Sequence, residues 1–112
     1  MEPLVSVVTP CYNGEKYISR FLDSVINQTY DNVEVILVND GSIDKTEEIA
    51  LNYKSKFEKR GYKYIYIYQK NAGQAAAINQ GLKVLQGKYL IWPDSDDILD
   101  KNALYKLFFR AE

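Results

Sequence analysis

Four short apolar runs, and the distance between them, constrain the fold of this chain more than any other feature. The runs begin near residues 4, 33, 62 and 88, so that their starts are 26 to 29 residues apart. Each is rich in β-branched or aromatic residues and stops at turn-forming residues, which is typical of β-strands. The spacing fits one strand and one helix in a parallel sheet, since an antiparallel hairpin needs only a few connecting residues.

Apolar residues recur at helical spacing in the segments beside the strands. These stripes run from Tyr17 to Ile26, from Ile49 to Phe57, from Ala75 to Leu85, and from Leu104 to Phe108. Asn13 is the predicted N-cap of the first helix, and Gly87 is the predicted end of the third. Asp44 with Glu47 resembles a capping box before the second helix. The fourth helix is predicted to begin near Asp100.

This alternation predicts an α/β fold in which residues 1–112 form a single domain. The domain is an open, mainly parallel, Rossmann-like sheet with helices on both faces. The fourth helix has no closing glycine, proline or capping residue, and Phe108 and Phe109 need cover that little remaining chain provides. We therefore expect the chain to be part of a larger protein.

The composition excludes several classes of function. Fourteen basic residues against 15 acidic ones give a net charge of −1, which argues against nucleic-acid binding through bulk charge. The absence of histidine excludes a Ser-His-Asp triad, a Cys-His dyad and a histidine-ligated metal site. A single cysteine, Cys11, excludes an internal disulfide and favours a reducing compartment. No apolar run approaches the roughly 20 residues that a membrane helix needs.

Small, polar and acidic residues follow all four predicted strands. Ligands bind at the carboxyl ends of the strands in open α/β sheets, so these turns are predicted to share one ligand-binding edge. The turns are Thr9–Glu15, Asn39–Ser42, Asn71–Gln74 and Asp94–Asp97.

The acidic turn Asp94-Ser95-Asp96-Asp97 is the sharpest of these elements. Its three carboxylates repel one another, and a divalent cation relieves that repulsion. Oxygen ligands suit Mg²⁺ or Mn²⁺, which commonly keep phosphate oxygens as further ligands. No glycine-rich phosphate-binding motif is present, so a metal is expected to hold the phosphates. The alternative is a solvated acidic turn in which Asp97 or Asp100 caps the next helix.

Other residues in these turns allow two interpretations each. Asp40 accepts a hydrogen bond from a base or ribose, or it belongs to an ordinary turn before a helix. Tyr12 stacks on a base or only packs, and Gly73 admits a ligand or only starts a helix. Cys11 has no histidine to activate it, so it is expected to be a small buried residue at the edge.

Two longer segments favour structural interpretations. The locally basic stretch 54–70 is expected to be a solvated helix end and loop rather than a surface for an anionic partner. The alternating tyrosines between Tyr62 and Tyr68 are expected to form a packed face of the sheet rather than a ligand platform.

Four segments, in their order and spacing, resemble the family 2 glycosyltransferases of the GT-A fold. The resemblance covers essentially the whole chain but only the first half of a family catalytic domain. It implies inverting, metal-dependent transfer of a sugar from a nucleotide diphosphate sugar, expected to be a UDP-sugar, to an acceptor hydroxyl. The segments are Val5–Asn13, Val38–Ser42, Asn71–Gly73 leading to Ala77–Gly81, and Asp94–Asp97.

The resemblance also implies roles for single residues. Tyr12 would stack on the base, Asp40 would hydrogen-bond it, and Glu15 would lie near the base or ribose. Asp94 would approach the ribose or sugar, and Asp96 would ligate Mn²⁺ or Mg²⁺ at the diphosphate. The implied nucleotide-sugar site comprises Thr9, Pro10, Tyr12, Glu15, Asp40, Gly73, Asp94 and Ser95.

The chain departs from the family pattern in two respects. Ile78 stands where family members usually have an arginine, so a cation that could contact the diphosphate is missing. The family's general base is an Asp or Glu in the second half of the domain, so no catalytic residue is expected in this chain. We expect weak nucleotide binding without turnover.

The implied setting is the synthesis of a surface polysaccharide or glycolipid. The expected acceptor is a saccharide or a lipid-linked molecule, and the expected location is the cytoplasm, at the inner face of the membrane. Self-association through an exposed face is a further expectation.

Two other functions are compatible with the same pattern. One is a non-catalytic nucleotide- or metal-binding module. The other is a flavodoxin-like receiver domain, which needs an acidic pair directly after the first strand. This chain has Thr9-Pro10-Cys11 there, and this disfavours the receiver.

Overall fold

The computed structural model describes residues 2–111, and the side chains of residues 2–107. The side chains of Phe108 and Phe109, for which cover was predicted to be necessary, lie outside the described residues. In chain order the elements are β1 (Val5–Cys11), α1 (Ile18–Ile26), β2 (Val33–Asp40), α2 (Thr46–Asn52), α3 (Lys54–Arg60), β3 (Lys63–Gln69), α4 (Gln74–Leu82), β4 (Tyr89–Ile91) and α5 (Ala103–Ala111).

The four strands form one sheet in the order β3-β2-β1-β4, and every neighbouring pair is parallel. In the register, Val5 lies opposite Val33 on one side and opposite Tyr89 on the other. The predicted parallel α/β sheet is therefore confirmed. The reversal of strand order between β1 and β4 is the position at which such sheets bind ligands.

Helices cover both faces of the sheet, as predicted. On one face, Val7, Val35 and Leu37 pack with residues of α1 and α3 such as Phe21 and Phe57. On the other face, the second apolar cluster is formed by Val8, Ile36 and Val38 of the sheet with Ala77 of α4. Strands β1 and β2 are buried along their whole length, which explains why their sequences are nearly continuous apolar runs.

Strand β1 continues through Pro10, where the sequence predicts a stop. Pro10 lies opposite Val38 of β2, whereas β4 ends at Ile91 opposite Val7. The upper end of β1 is therefore locally an edge of the sheet, and a proline that lacks an N–H is tolerated there.

Asn13 is not the N-cap of α1, contrary to the prediction. The helix begins five residues later, at Ile18. The N–H groups of Tyr17 and Ile18 both donate to the carbonyl of Gly14, in the turn that precedes the helix. Asn13 has a φ of +51°, which asparagine tolerates better than most residues. Its Oδ1 accepts a hydrogen bond from the N–H of Ile43, a residue of another loop.

The second predicted stripe forms two helices, because the α-helical pattern breaks at Tyr53. The N–H of Tyr53 donates to the carbonyl of Ala50, three residues back, and α3 begins at the next residue. The predicted capping box is wrong as well. Asp44 accepts from the N–H of Thr46, two residues on, and no side chain caps α2.

Gly87 does not end α4, which stops at Leu82. Its N–H donates to Ser6 Oγ at 2.9 Å and to Glu34 Oε2 at 3.2 Å, and the next N–H, of Lys88, donates to the carbonyl of Leu4 at 2.8 Å. A Cβ at position 87 would lie 2.2 Å from Ser6 Oγ and 2.7 Å from the Ser6 nitrogen. Glycine is needed here so that the chain can enter β4 against β1.

In the basic stretch 54–70, Arg60 has a structural role, as the sequence predicts. Its guanidinium donates to the carbonyls of Ile26 and Gln28 and lies 3.1 Å from a carboxylate oxygen of Asp31.

The alternating tyrosines in and next to β3 pack as predicted at two positions, with Tyr62 buried and Tyr64 stacked on the core ring of Phe57. Tyr68 departs from the prediction, because it is 54% exposed.

Within residues 2–111, no helix is long and apolar enough to cross a membrane.

Replacing Gly87 with alanine should destabilise the fold. Because the new Cβ would meet both backbone and side-chain atoms of Ser6, β1 and the start of β4 must separate, which should lower the free energy of unfolding by about 1–3 kcal/mol. Urea denaturation measures this change. The control is Gln86→Ala, whose exposed side chain should contribute less than about 0.5 kcal/mol. Equal stabilities of the two variants would contradict the packing argument.

Candidate functional site

A pocket of about 280 Å³ opens at the carboxyl edge of the sheet, between the turns that follow β1 and β4. It contains six of the nucleotide-sugar and metal residues predicted from the sequence. Asp40 enters from the end of β2, and α4 contributes its first residue, Gln74. The lining residues are Pro10, Cys11, Tyr12, Tyr17, Asp40, Gln74, Asp94, Ser95 and Asp96.

Three residues expected at the site do not line this pocket. Thr9 is fully buried in β1, and its Oγ1 has no hydrogen-bond partner among the described residues. Glu15 is exposed, and its backbone N–H donates to Asp44 Oδ2 at 3.1 Å. Gly73 lies beside the pocket as the N-cap of α4, with a φ of +100° that only glycine adopts readily.

Tyr17 and Gln74 line the pocket although the sequence does not assign them to the site. Tyr17 is spaced four residues from Phe21, so it matches the apolar stripe of α1 and gives no sign of a ligand contact. Gln74 lies directly after Gly73 in the turn that follows β3, and this proximity is the only available signal. Cys11 was expected to be buried at the edge, and it is 2% exposed.

The carboxylate of Asp40, at the end of β2, joins the loop after β2 to the turn between β3 and α4. Its Oδ1 accepts hydrogen bonds from Gln69 Nε2 and from the N–H of Ala72, both at 2.8 Å. Its Oδ2 accepts from the N–H of Gly73 at 3.0 Å and from Asn71 Nδ2 at 3.3 Å. These contacts hold the turn before α4 in place and so position Gln74.

The same hydrogen bonds explain the acidity of Asp40. Burial by itself would raise the pKa of this carboxyl group. The donors from Gln69, Ala72 and Gly73 outweigh that effect and hold the pKa below the ordinary value of 3.8. Asp40 is therefore ionised at neutral pH.

Hydrogen bonds close to Tyr12 join the turn after β1 to the loop after β2. The N–H of Asn13 donates to Ser42 Oγ, and the N–H of Gly14 donates to Thr46 Oγ1, both at 2.8 Å. Asp44 accepts from Thr46 and from the N–H of the residue after Gly14, and these hydrogen bonds lower its pKa although burial opposes them. The turn that carries Tyr12 is thus fixed to the loop after β2.

Three carboxylates meet in the acidic turn. One oxygen each from Asp94, Asp96 and Asp97 lies within 4.8 Å of the others, and all three residues are exposed. The turn is closed by hydrogen bonds from the Asp97 N–H to the Asp94 carbonyl and from the Asp94 N–H to Asp97 Oδ2, each at 3.1 Å. Asp97 therefore does not cap a helix, since α5 begins at Ala103. This set of oxygen ligands fits Mg²⁺ or Mn²⁺.

The pocket is negatively charged and has no side-chain cation. Asp40, Asp94 and Asp96 line it, whereas no lysine or arginine does so in the part of the chain that the structure describes. Burial raises the pKa of the Cys11 thiol, and the charge of Asp44 adds to the rise although hydrogen bonds oppose it. Cys11 therefore lacks thiolate character, and the pocket is suited to binding rather than to covalent catalysis.

Comparison with known proteins identifies the family. The model of glycosyl transferase family 2 matches residues 6–112. The chain belongs to this family. An uncharacterised glycosyltransferase of Rickettsia prowazekii is 45% identical over 102 residues, which are 91% of this chain and 30% of that protein. The chain of 112 residues thus spans less than half of the length of the curated relatives, from 14% to 40% of them.

Solved structures agree with this assignment. The crystal structure of Staphylococcus aureus TarS 1–349 matches with a TM-score of 0.84 and 31% identity, covering 94% of this chain and 31% of the TarS 1–349 chain. The mannosyltransferase PcManGT from Pyrobaculum calidifontis, in complex with GDP-Man and Mn²⁺, matches with a TM-score of 0.75 and 26% identity, covering 86% of this chain and 28% of PcManGT. The fold of this family 2 chain is therefore the GT-A fold expected from its motifs.

Replacing Asp40 with asparagine should lower the free energy of unfolding at pH 7 by about 1–3 kcal/mol, because an amide cannot accept from all four donors. The folded-state pKa lies below 3.8, so the carboxylate stabilises the fold above about pH 4, and this contribution is lost as the pH falls through the lower folded value. The difference between wild type and variant should therefore shrink at pH 3.

Urea denaturation at pH 7 and pH 3 measures both effects. The matched control is Asp31→Asn, because the side chain of Asp31 is 76% exposed and makes an ion pair with Arg60. It should change stability by less than about 1 kcal/mol at either pH. A difference between wild type and Asp40→Asn that is the same at both pH values would contradict the role given to the carboxylate.

Proposed function

We propose that this chain is the donor-binding part of an inverting, metal-dependent glycosyltransferase. It binds a nucleotide diphosphate sugar, from which the sugar passes to the hydroxyl of a saccharide or lipid-linked acceptor. One observation carries the proposal: in a family 2 chain, Tyr12, Asp40 and the acidic turn 94–97 meet at one pocket, although they come from three separate strand ends.

The proposed donor is a UDP-sugar. TarS 1–349 has been crystallised with UDP and with UDP-GlcNAc, which supports this class of ligand. PcManGT has been solved in complex with GDP-Man, so guanosine is the alternative base. Binding measurements with UDP and GDP distinguish the two bases.

In this proposal the nucleoside lies against the β1 end of the pocket. Tyr12 is 49% exposed and lines the pocket, so its ring is available to stack on a base beside Pro10. Asp40 faces the base from the end of β2. The N–H of Glu15 donates to Asp44 and so helps to hold the turn that carries Tyr12. Gly73 leaves room for the ligand beside α4, because no Cβ stands there.

The diphosphate lies toward the acidic turn, where Asp94 and Ser95 contact the donor and Asp96 is the principal metal ligand. Asp94 and Asp97 have oxygens near enough to share in holding the ion. When bound, Mn²⁺ or Mg²⁺ supplies positive charge that stabilises the leaving diphosphate. The electrostatics of the pocket support a requirement for a metal, since three carboxylates line it and no lysine or arginine among the described residues balances them.

The acceptor and the general base are assigned to protein beyond this chain. The family resemblance implies a base in the second half of the domain, and the chain covers 30% of the Rickettsia prowazekii protein and 31% of the TarS 1–349 chain. The proposed setting is surface polysaccharide or glycolipid synthesis at the inner face of the membrane.

The donor site is tested by thermal melts of the chain alone, with Mn²⁺, and with Mn²⁺ plus UDP or GDP. A ligand at about ten times its Kd should add about 1.4 kcal/mol, which raises the Tm of a domain of this size by about 6 °C. The rise should need both Mn²⁺ and the nucleotide. Asp96→Ala should abolish it, because the principal metal ligand is lost.

The control variant is Asp31→Ala, which changes the net charge equally but removes an exposed carboxylate outside the pocket. It should keep the ligand-dependent rise. A cooperative melt that neither UDP nor GDP shifts in the presence of Mn²⁺ would refute the proposed donor site. A shift by the nucleotide without metal would refute the metal dependence.

The isolated chain should not transfer sugar. With UDP-GlcNAc, Mn²⁺ and saccharide acceptors, we expect no glycosylated product above the level of a protein-free control, although the nucleotide binds. Mass spectrometry of the acceptor is the measurement. Appearance of product would show that this chain contains a catalytic base and would overturn the proposed division of roles.

A further inference from the structure

The proposed ligand raises an electrostatic problem that the metal only partly solves. A nucleoside diphosphate carries several anionic oxygens, and the pocket is lined by three carboxylates. Ile78 stands where the family's usual arginine would offer a cation. A metal ion neutralises the oxygens that it touches, so the remaining oxygens need neutral N–H or O–H donors from the pocket.

Few of the residues that line the pocket can serve as such donors. Ser95 already has a proposed contact with the donor, Cys11 is buried and has only a weak S–H donor, and Tyr12 is proposed to stack on the base. This leaves the phenol of Tyr17 and the side-chain amide of Gln74. Both face the pocket, one directly before α1 and the other at the first position of α4.

The hydrogen bonds of these two donors are weak in this structure. The Tyr17 hydroxyl donates to the carbonyl of Tyr12 at 3.4 Å, and Gln74 Nε2 donates to Asp94 Oδ1 at 3.3 Å. Both distances are longer than those of strong hydrogen bonds. A phosphate oxygen offers a charge-assisted bond at about 2.7–2.9 Å, so either donor would gain by exchanging its present acceptor for a diphosphate.

Both residues stand on parts of the pocket that are already fixed. The Tyr17 ring packs on Gly14, where an added Cβ would lie 3.1 Å from Cε2, and the N–H of Gly14 is bonded to Thr46. Gln74 follows the turn that Asp40 holds. Neither donor needs its backbone to be ordered when the ligand arrives, which keeps the entropic cost of binding low.

The protonation of Tyr17 suits a donor. Burial raises its pKa, and the charges of Asp96 and Asp44 add to the rise, whereas a hydrogen bond with Ser95 opposes it. The phenol therefore keeps its proton throughout the physiological pH range.

We propose that Tyr17 and Gln74 donate hydrogen bonds to the diphosphate of the bound nucleotide. The inference rests on the proposed donor site and adds two ligand contacts to it. The two residues serve as uncharged counterparts of the arginine that this chain lacks. They would act together with a metal ion held by the acidic turn, which would supply positive charge beside the same diphosphate.

The test compares a nucleoside with its diphosphate by NMR titration of the ¹⁵N-labelled chain at saturating Mg²⁺. The probes are uridine and UDP, and guanosine and GDP are used in parallel. Tyr17→Phe and Gln74→Leu should each raise the Kd for the nucleoside diphosphate about tenfold, because each loses one hydrogen bond to a charged group. The Kd for the nucleoside should change less than twofold in both variants. Gln74→Lys should lower the Kd for the nucleoside diphosphate and leave the Kd for the nucleoside unchanged.

Matched controls separate direct contact from structural effects. Tyr68→Phe and Gln86→Leu make the same chemical changes at residues that do not line the pocket, and they should leave both Kd values unchanged. Mn²⁺ binding without nucleotide, measured by electron paramagnetic resonance, should be the same in Gln74→Leu as in the wild type. A parallel loss of Mn²⁺ affinity would show that Gln74 acts through Asp94 and would overturn its direct contact.

The remaining outcomes are distinct from one another. If the wild type binds UDP or GDP and both variants bind it equally well, the inference is wrong while the donor site stands. Equal losses for nucleoside and diphosphate would also overturn it, because they would place the two residues at the base. If the folded wild-type chain binds neither nucleoside diphosphate, the proposed donor site itself is refuted, and the inference with it.

Discussion

Parallel pairing of β1 with both β2 and β4 is the constraint on which the site depends. It brings the carboxyl ends of the strands to one edge, so that turns more than 80 residues apart in the chain, such as those of Tyr12 and Asp94, line one pocket. Short turns at such an edge would move independently if nothing joined them. Asp40 and Asp44 join the turns that follow β1, β2 and β3, because each carboxylate accepts an N–H group from a neighbouring loop. The acidic turn is joined to α4 by the hydrogen bond from Gln74 to Asp94.

The electrostatics of the pocket set what it can bind. Carboxylates at the ends of two strands disfavour an anion, whereas two similar solved structures are complexes with the anionic nucleotide sugars UDP-GlcNAc and GDP-Man. In the proposed donor site a metal ion supplies the positive charge, and the acidic turn has the oxygens to bind a divalent cation. In the same proposal, the uncharged donors of Tyr17 and Gln74 contact phosphate oxygens, and the carboxylates are left to the metal. The absence of a cation at Ile78 is thus consistent with a metal-centred site.

Local patterns predicted the elements well and their ends poorly. The four strands were located to within about two residues, because all four runs stop at turn residues. Burial on both faces also makes β1 and β2 nearly continuous apolar runs. The errors at Asn13 and Gly87 share one cause. Asn13 has the chemistry of a helix cap and Gly87 that of a helix end, but each contacts a residue about 30 or 80 positions away, Ile43 or Ser6. Residue type alone cannot distinguish a local partner from a distant one.

The sequence by itself determined the α/β alternation, the helices on both faces, the absence of histidine chemistry and the carboxylates of the acidic turn. These follow from composition and short-range periodicity, which depend only on neighbours along the chain. The tertiary structure decided the strand order and therefore which turns meet. It also decided that Thr9 is buried in β1 while Tyr17 and Gln74 line the pocket. The physical reason is that the direction of a side chain depends on register and packing between segments far apart in the chain.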